Sequence, residues 1–152
     1  MKPYQPTTIV SEFEARFPAM SEDLGPDNLG LLLEGASTIE LPAGRALIRD
    51  RMPVDFLYFV LDGTLGVFIE EAGNSKRLNT ISPGEWLGEI SVLSGELLAS
   101  ATVVTDTPCK LVKVHHITFG KLITDNEAVA KVLLEHFIAL MAKRFRAPHL
   151  HA

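Results

Sequence analysis

The residues of this chain best suited to bind a ligand form one short segment, Pro83-Gly84-Glu85-Trp86-Leu87-Gly88-Glu89-Ile90. Gly88 allows the backbone to approach a bound molecule closely, because glycine has no Cβ. Glu89 can accept hydrogen bonds from hydroxyl groups, and the amides of a short helix beginning near Ile90 would donate to a negative group. Ser100-Ala101-Thr102-Val103 then begins a new strand rich in β-branched residues. This order of residue types predicts a buried pocket for a molecule that carries a sugar and an anion.

The same segment contains no cation. No arginine or lysine occurs between Gly88 and Val103, and Glu96 adds a negative charge to this stretch. The residues that would frame the pocket are therefore present, whereas a positive partner for the anion is not.

Composition and charge limit the class of protein. With 152 residues and a hydrophobic fraction of 47%, the chain predicts one folded domain, alone or with a terminal helical arm. The formal net charge of −5 argues against a basic nucleic-acid-binding protein. The single cysteine, Cys109, cannot form an internal disulfide, and no apolar run is long enough for a secretion signal or a membrane span. We therefore expect a soluble, cytoplasmic domain without membrane association.

Helical signals lie at the two ends of the chain. Residues 7–35 are predicted helical, with Ser11 and Glu14 as a capping box and Pro26 starting a second short helix. Residues 117–123 form a further short helix, and a long helix over 124–145 is predicted to begin at a capping box of Thr124 with Glu127.

Between these helices the pattern is typical of β-structure. Short apolar segments alternate with turn residues, and Asp62-Gly63 is the sharpest hairpin signal. The predicted strands are 37–41, 45–49, 56–61, 64–70, 76–81, 101–105 and 109–114. Many short strands with such turns predict a mainly β fold with flanking helices, specifically a double-stranded β-helix (a jelly-roll-like β-roll) followed by a long C-terminal helix.

The long helix has a broad apolar surface. Leu133, Phe137, Leu140 and Arg144 recur at alternating steps of three and four residues, and neighbouring apolar residues widen this surface. We predict that these four residues form a homodimer interface; the alternative is a helix that only covers its own roll.

Taken together, the chain resembles the cyclic-nucleotide-binding domain of the catabolite-activator (Crp/Fnr) superfamily over residues 25–145. The matching pieces are Leu41-Pro42-Ala43-Gly44, residues 57–63, residues 83–90 and Ser100-Ala101-Thr102-Val103. The resemblance implies that Glu89 binds the ribose 2′-hydroxyl. It also implies that the backbone near Gly88, Ile90 and Ser91, together with Ser100 and Ala101, approaches the cyclic phosphate.

Two positions depart from the family pattern. The phosphate-pairing arginine of the family falls on Ala99, and a turn glycine falls on Arg51. A buried phosphate without its counter-charge costs on the order of 2–5 kcal/mol, which corresponds to roughly thirty- to several-thousand-fold weaker binding. The sequence therefore predicts weak binding of ordinary cAMP. Because residues 146–152 are too few for the winged helix-turn-helix that Crp/Fnr regulators carry, we expect no direct DNA binding by this chain.

Other reactive residue types have simpler interpretations. His115 and His116 are adjacent in a predicted strand and should point to opposite faces, which argues against a shared metal ion. Cys109 is interpreted as a core residue, while Lys76 and Arg77 are expected to face solvent, with a displaced phosphate partner as the alternative for that pair. We find no catalytic constellation and no resident cofactor, so we predict a protein that is not an enzyme.

These inferences define the expected organisation: an N-terminal helical arm (1–24), a cyclic-nucleotide-binding-like β-roll (25–123), a C-terminal dimerisation helix (124–145) and a tail (146–152). The predicted function is a non-catalytic regulatory or sensor module. Its effector would be a cyclic nucleotide or another small molecule, and its output would go to a separate effector protein. The alternative is a degenerate fold that serves only as a dimerisation or docking scaffold.

Overall fold

The computed structural model describes residues 6–88 and 101–146. Within them the chain begins with two helices, continues through eight strands and ends with two further helices. The elements are α1 (Pro6–Arg16), α2 (Pro18–Glu34), β1 (Ser37–Leu41), β2 (Ala46–Ile48), β3 (Phe56–Asp62), β4 (Leu65–Glu71), β5 (Asn74–Ile81), β6 (Trp86–Leu87), β7 (Thr102–Thr105), β8 (Cys109–His115), α3 (His116–Asp125) and α4 (Glu127–Arg146).

The strands form two antiparallel sheets of four, in the orders β1-β8-β3-β6 and β2-β7-β4-β5. The predicted fold class, a mainly β roll with flanking helices and a long last helix, is confirmed. All seven predicted strands occur, and their boundaries lie within two residues of the predicted ones. The sequence analysis did not predict β6 as a strand, because two residues are too few to show an alternating pattern.

Strand β3 separates two hydrophobic cores. Leu57, Phe59 and Leu61 face the helices, where they pack against residues of α1, α2, α3 and α4. Val60 and Tyr58 lie on the opposite face and pack inside the roll. Because both faces of this strand are covered, its sequence is almost continuously apolar rather than alternating.

The predicted capping boxes are wrong. Helix α1 begins at Pro6, so Ser11 lies in its interior. Thr124 lies within α3, and the residue that caps α4 is Asn126, whose Oδ1 accepts a hydrogen bond from the Val129 amide at 3.1 Å. Asparagine is as good an N-cap as threonine, and a short pattern cannot choose between neighbouring candidates. The predicted break before Pro26 is confirmed, because Gly25 interrupts α2 with a φ of 81°.

The hairpin prediction is also corrected. Asp62-Gly63 does not join paired strands, because β3 and β4 belong to different sheets. The tight hairpin connects β4 to β5 through Ala72 and Gly73, whose φ angles of 55° and 83° are the positive values that a primed turn needs. A positive-φ turn signal therefore marks a tight turn without saying which strands pair.

The four residues predicted at a dimer interface make contacts within their own chain. Leu133 and Leu140 are buried in the chain's own core, with exposures of 1% and 7%. The ring of Phe137 meets Trp86 edge-on, and Arg144 donates a hydrogen bond to the Trp86 carbonyl. Among the side chains of α4 that the structure describes, the large apolar ones that are exposed are instead Leu134 and Ile138. Dimerisation through α4 stays a prediction, and helical periodicity could not tell which apolar stripe meets the chain's own core.

Candidate functional site

The structure describes two of the predicted ligand-binding residues, Gly88 and Ala101. Gly88 directly follows β6, and the half-buried Ala101 directly precedes β7. The other predicted residues lie outside the described residues, so their roles stay predictions; they are Glu89, Ile90, Ser91, Ala99 and Ser100.

The backbone at Gly88 passes very close to β3. Its φ is +88°, and a Cβ at this position would lie 2.7 Å from the Phe56 carbonyl oxygen and 3.5 Å from the Leu57 Cα. Such a contact with backbone atoms leaves no room for any side chain. The sequence analysis attributed the need for glycine to the approach of a ligand, whereas the structure shows that β3 already requires it.

Both ends of the predicted ligand-binding segment are anchored inside the roll. Leu87 before it and Val103 after it are buried in the same interior cluster, with exposures of 4% and 5%. Strand β6 lies at the edge of one sheet and β7 lies inside the other, so the segment between them connects the two sheets. Thr102 further fixes the second end, because its hydroxyl accepts a hydrogen bond from the Asp50 amide at 3.1 Å.

The turn that leads into β6 contains a buried acid that the sequence analysis did not single out. The carboxylate of Glu85 accepts a hydrogen bond from the Ser82 amide at 3.0 Å through Oε1 and one from the Lys143 ammonium at 2.5 Å through Oε2. The next residue, Trp86, is 2% exposed and stacks on Phe59 with ring centroids 5.3 Å apart. The start of the candidate site is thus held by α4 as well as by β3.

A cavity of about 280 Å³ lies beside this turn, between α4 and the junction of α1 with α2. Its charged lining residues have partners. Arg16 donates to the Leu61 carbonyl at 2.7 Å and pairs with Asp62 at 2.9 Å, and His136 contacts Asp23 at 2.8 Å.

Arg77 lies on the outer surface of the roll. Leu65 points into the roll, so its neighbour Gly66 faces outward, and a Cβ on Gly66 would lie 2.6 Å from the Arg77 guanidinium. The guanidinium binds Asp106 at 2.6 and 3.2 Å, and this hydrogen-bonded pairing lowers the pKa of the Asp106 carboxyl. The structure therefore places Arg77 away from the interior, in agreement with the solvent-facing interpretation.

The remaining reactive side chains have structural roles. Cys109 is buried in the interior of the roll, and burial raises the pKa of its thiol.

The expectation that His115 and His116 point to opposite faces is wrong, because the chain turns from β8 into α3 between them and their rings stack at 4.7 Å. His115 Nδ1 accepts a hydrogen bond from the Ile117 amide at 3.2 Å and so caps α3. Within residues 6–88 and 101–146, no group of three or more His, Cys, Asp or Glu side chains is arranged to hold a metal ion.

Sequence comparison assigns the family. Residues 38–126 match the model of the cyclic nucleotide-binding domain, which covers more than half of the chain. The chain therefore belongs to the cyclic nucleotide-binding domain family, and the predicted resemblance is confirmed.

Two curated relatives illustrate the range of proteins in which such a domain occurs. A cyclic nucleotide-gated potassium channel of Mesorhizobium japonicum is 30% identical over 111 residues, which are 73% of this chain and 29% of the channel. The cAMP-activated global transcriptional regulator CRP of Escherichia coli is 26% identical over 106 residues, 69% of this chain and 49% of the regulator. The chain thus spans less than half the length of these relatives. Both relatives are regulated proteins, which supports a regulatory or sensor role for the shared domain.

Solved structures show the same fold. A cyclic nucleotide-binding domain from Methylobacillus flagellatus superposes with a TM-score of 0.82 at 18% identity, covering 93% of this chain and 83% of that one. The regulatory subunit of a cAMP-independent protein kinase A from Trypanosoma brucei superposes with a TM-score of 0.72 at 22% identity, covering 86% and 46%. A variant of that subunit with three substitutions, one of them threonine to arginine, is bound to cAMP; it gives a TM-score of 0.70 at 21% identity, covering 86% and 48%.

None of the helices in the described part of the chain has the length and apolar character to cross a membrane.

Proposed function

We propose that this chain is a non-catalytic sensor module whose pocket begins at Gly88 and Glu89, and that it binds ordinary cAMP weakly because Ala99 replaces the phosphate-pairing arginine. The observation that carries the proposal is the fixed backbone of Gly88 against β3, in a chain that belongs to the cyclic nucleotide-binding family. This close packing fixes the backbone at the end of β6, where the proposed pocket begins.

The proposed roles within the pocket follow the family pattern. Glu89 accepts hydrogen bonds from the ribose hydroxyl, and the backbone at Gly88, Ile90 and Ser91 faces the cyclic phosphate. Ser100 and Ala101 complete the phosphate side beside Ala99. The ligand is a cyclic nucleotide or a related small effector.

Two observations support weak binding of cAMP itself. Arg77, the alternative cation considered from the sequence, is held by Asp106 on the outer face of the roll. In addition, the regulatory subunit of a cAMP-independent protein kinase A from Trypanosoma brucei has this fold, and a variant of it with three substitutions, one of them threonine to arginine, is bound to cAMP. An arginine introduced into the proposed pocket of this chain is therefore the change to test.

The decisive experiment restores the cation. Ala99→Arg should strengthen cAMP binding by at least about thirtyfold, because a buried phosphate regains a partner worth roughly 2 kcal/mol or more. Isothermal titration calorimetry against cAMP and cGMP measures this change. Ala43→Arg, on an exposed turn, is the matched control and should leave the affinity unchanged.

A second substitution tests the sugar-binding residue. Glu89→Ala in the Ala99→Arg background should weaken the restored binding. A folded Ala99→Arg protein that binds neither nucleotide at millimolar concentration would refute the proposed pocket, and an unchanged affinity after Glu89→Ala would remove this carboxylate from it.

We further propose that α4 transmits the state of the pocket to a separate effector protein or to a second copy of the chain in the cytoplasm. We propose that the chain is organised as an N-terminal helical arm (1–24), a β-roll (25–123), a dimerisation helix (124–145) and a tail (146–152).

A docking scaffold without ligand is the second candidate. Leu134 and Ile138, 53% and 58% exposed and one helical turn apart on α4, favour it because they offer an apolar surface to a partner. A panel of cyclic and linear nucleotides at millimolar concentration separates the two functions: a sensor should show a raised melting temperature with at least one of them, and a scaffold with none.

A further inference from the structure

Three side chains that can donate hydrogen bonds surround the ring of Phe56 at the start of β3. The Lys113 ammonium lies 4.5 Å from the centre of this ring, and the ring of His115 meets it at a right angle at 5.2 Å. The ring of Tyr58 lies 6.1 Å away. We call these four residues the Phe56 cluster; it brings together an ammonium, an imidazole and a phenol.

The Phe56 cluster lies on the face of the sheet that points into the roll. In the ladder Tyr58 is opposite Lys113 and Phe56 is opposite His115, and such partners share one face of a sheet. Tyr58 packs on the interior core, and so does Leu111, two residues before Lys113 on β8. All four members of the cluster are half-buried, so the cluster places a positive charge inside the roll where solvent still reaches it.

The cluster is also next to the start of the proposed pocket. The Phe56 carbonyl oxygen is the atom that a Cβ on Gly88 would meet at 2.7 Å. Phe56 thus touches the pocket entrance with its backbone and the Lys113 ammonium with its ring. The charge of Lys113 therefore lies at the same end of β3 as the proposed pocket.

The nitrogen donors of the cluster have no acidic partner in the described part of the chain. Lys113 forms no ion pair with any residue there, and its one contact of this kind is with the Phe56 ring. His115 Nδ1 accepts a hydrogen bond from the Ile117 amide at 3.2 Å, so the proton of the neutral ring is on Nε2. Both side chains can therefore donate to a ligand.

The phenol of the cluster is a donor as well. Burial raises the pKa of the Tyr58 hydroxyl, and the negative charge of the exposed Asp55 raises it further. This hydroxyl therefore keeps its proton at neutral pH, and it forms no hydrogen bond with another residue of the described part. Three donors without an acceptor among them favour an anion.

We propose that Lys113, the Tyr58 hydroxyl and His115 Nε2 form a phosphate-binding site inside the roll, and that the effector of the sensor carries a phosphate group that pairs with Lys113 rather than with a residue at position 99. The proposal rests on the proposed sensor function. Donors from three side chains suit a tetrahedral phosphate better than a planar carboxylate, and lysine binds phosphate as a point charge. This pairing agrees with weak binding of cAMP, whose cyclic phosphate the proposed pocket places beside position 99.

Inorganic pyrophosphate tests the site without a sugar or a base. Lys113→Met keeps most of the side-chain stem and removes the charge, which should weaken pyrophosphate binding about tenfold. Lys121→Met, at an exposed position of α3, is the matched control. Pyrophosphate at about ten times its wild-type dissociation constant should raise the melting temperature by about 3–5 °C in the wild type and the control, but by only about 1 °C in Lys113→Met.

Sodium chloride and citrate at equal ionic strength are the reference solutions. Chloride corrects for screening by salt. Citrate tests the choice of phosphate over carboxylate, and it should stabilise the wild type less than pyrophosphate does. No stabilisation of the wild type at millimolar pyrophosphate, or an equal rise in Lys113→Met and Lys121→Met, would overturn the site, and an equal rise with citrate would overturn the assignment to phosphate.

Three further variants separate binding from folding. Lys113→Arg keeps the charge and should retain most of the rise even if Lys113→Met is poorly folded. Tyr58→Phe removes only the hydroxyl and should weaken binding about threefold, the size expected for one neutral hydrogen bond. Asp55→Asn removes the nearby negative charge and should strengthen binding. Wild-type affinity in Tyr58→Phe would remove the hydroxyl from the site.

The nucleotide experiments decide a separate question. If pyrophosphate acts through Lys113 while Ala99→Arg binds no nucleotide, the phosphate site stands and the proposed sugar-binding pocket fails. If Ala99→Arg binds cAMP while pyrophosphate stabilises Lys113→Met as much as the wild type, the pocket stands and the site at Lys113 is overturned.

Discussion

Replacing Gly88 by alanine should destabilise the protein much more than the same replacement at Gly73. Both glycines have a positive φ angle of similar size, 88° and 83°. They differ in their surroundings, because a Cβ at Gly73 would meet no atom within 4 Å, whereas one at Gly88 would lie 2.7 Å from the Phe56 carbonyl oxygen. The pair therefore separates backbone strain from steric conflict.

The strain is common to both variants. A Cβ in the left-handed region costs about 1–2 kcal/mol, and the lower entropy of the unfolded alanine chain recovers about 0.4–1 kcal/mol of this. We therefore expect Gly73→Ala to lower the free energy of unfolding by about 0.5–1 kcal/mol.

The steric conflict is specific to Gly88. Phe56 is paired with His115 of β8 in the ladder, so its carbonyl cannot rotate away as a flexible side chain could. Forcing additional atoms into a tightly packed region costs about 1–3 kcal/mol. The expected loss for Gly88→Ala is therefore about 2–4 kcal/mol, a large part of the 5–15 kcal/mol that stabilises a typical domain.

Urea unfolding followed by far-ultraviolet circular dichroism measures both losses. With a slope of about 2 kcal/mol per molar urea, the midpoint should fall by roughly 1–2 M for Gly88→Ala and by less than about 0.5 M for Gly73→Ala, with little change in slope. Midpoints that agree within about 0.3 M would show that the backbone of Gly88 does not approach β3 as closely as described, and the argument for a fixed pocket entrance would fail.

The remaining predictions concern a strained turn and a surface ion pair. Arg51 has a φ of 66°. Arg51→Gly should therefore relieve backbone strain and raise the melting temperature by about 2–4 °C, whereas Arg49→Gly, where φ is not positive, should lower it. A lower melting temperature for Arg51→Gly would contradict this prediction. Because Arg77 holds the pKa of Asp106 below its usual value, the pair stabilises the fold above about pH 4 and loses this contribution as the pH falls through the lower folded-state pKa. The urea midpoints of the wild type and Asp106→Asn should therefore differ slightly at pH 7 and converge in acid, and a difference that persists below about pH 2 would count against the assignment.

Features that depend on neighbouring residues could be predicted from the sequence. Strand β1 occupies 37–41 as predicted, and β8 is one residue longer than predicted, because apolar runs bounded by turn residues encode strands locally. The predicted helix caps were wrong, because the local sequence offers several suitable cap residues and does not choose between them. Thr124 and Asn126 are both good caps, and only the packing of α3 and α4 selects Asn126.

Features that depend on distant residues could not be predicted. Glu85 and Lys143 are separated by 58 residues, and nothing near either one indicates the other. The apolar positions of α4 identified an amphipathic helix, yet the side that includes Leu133 and Leu140 meets the chain's own core while Leu134 and Ile138 remain exposed. Periodicity defines the faces of a helix but not their partners.

The sequence by itself determined the β-roll and the glycine at position 88, since each of these follows from residue types and their order. The tertiary structure alone decided that β3 is the neighbour that requires this glycine, and that α4 binds the turn before β6 through Lys143 and Arg144. The physical reason is that turn geometry and strand alternation are local properties of the backbone, whereas a contact between distant residues forms only when the packing of the whole core brings them together.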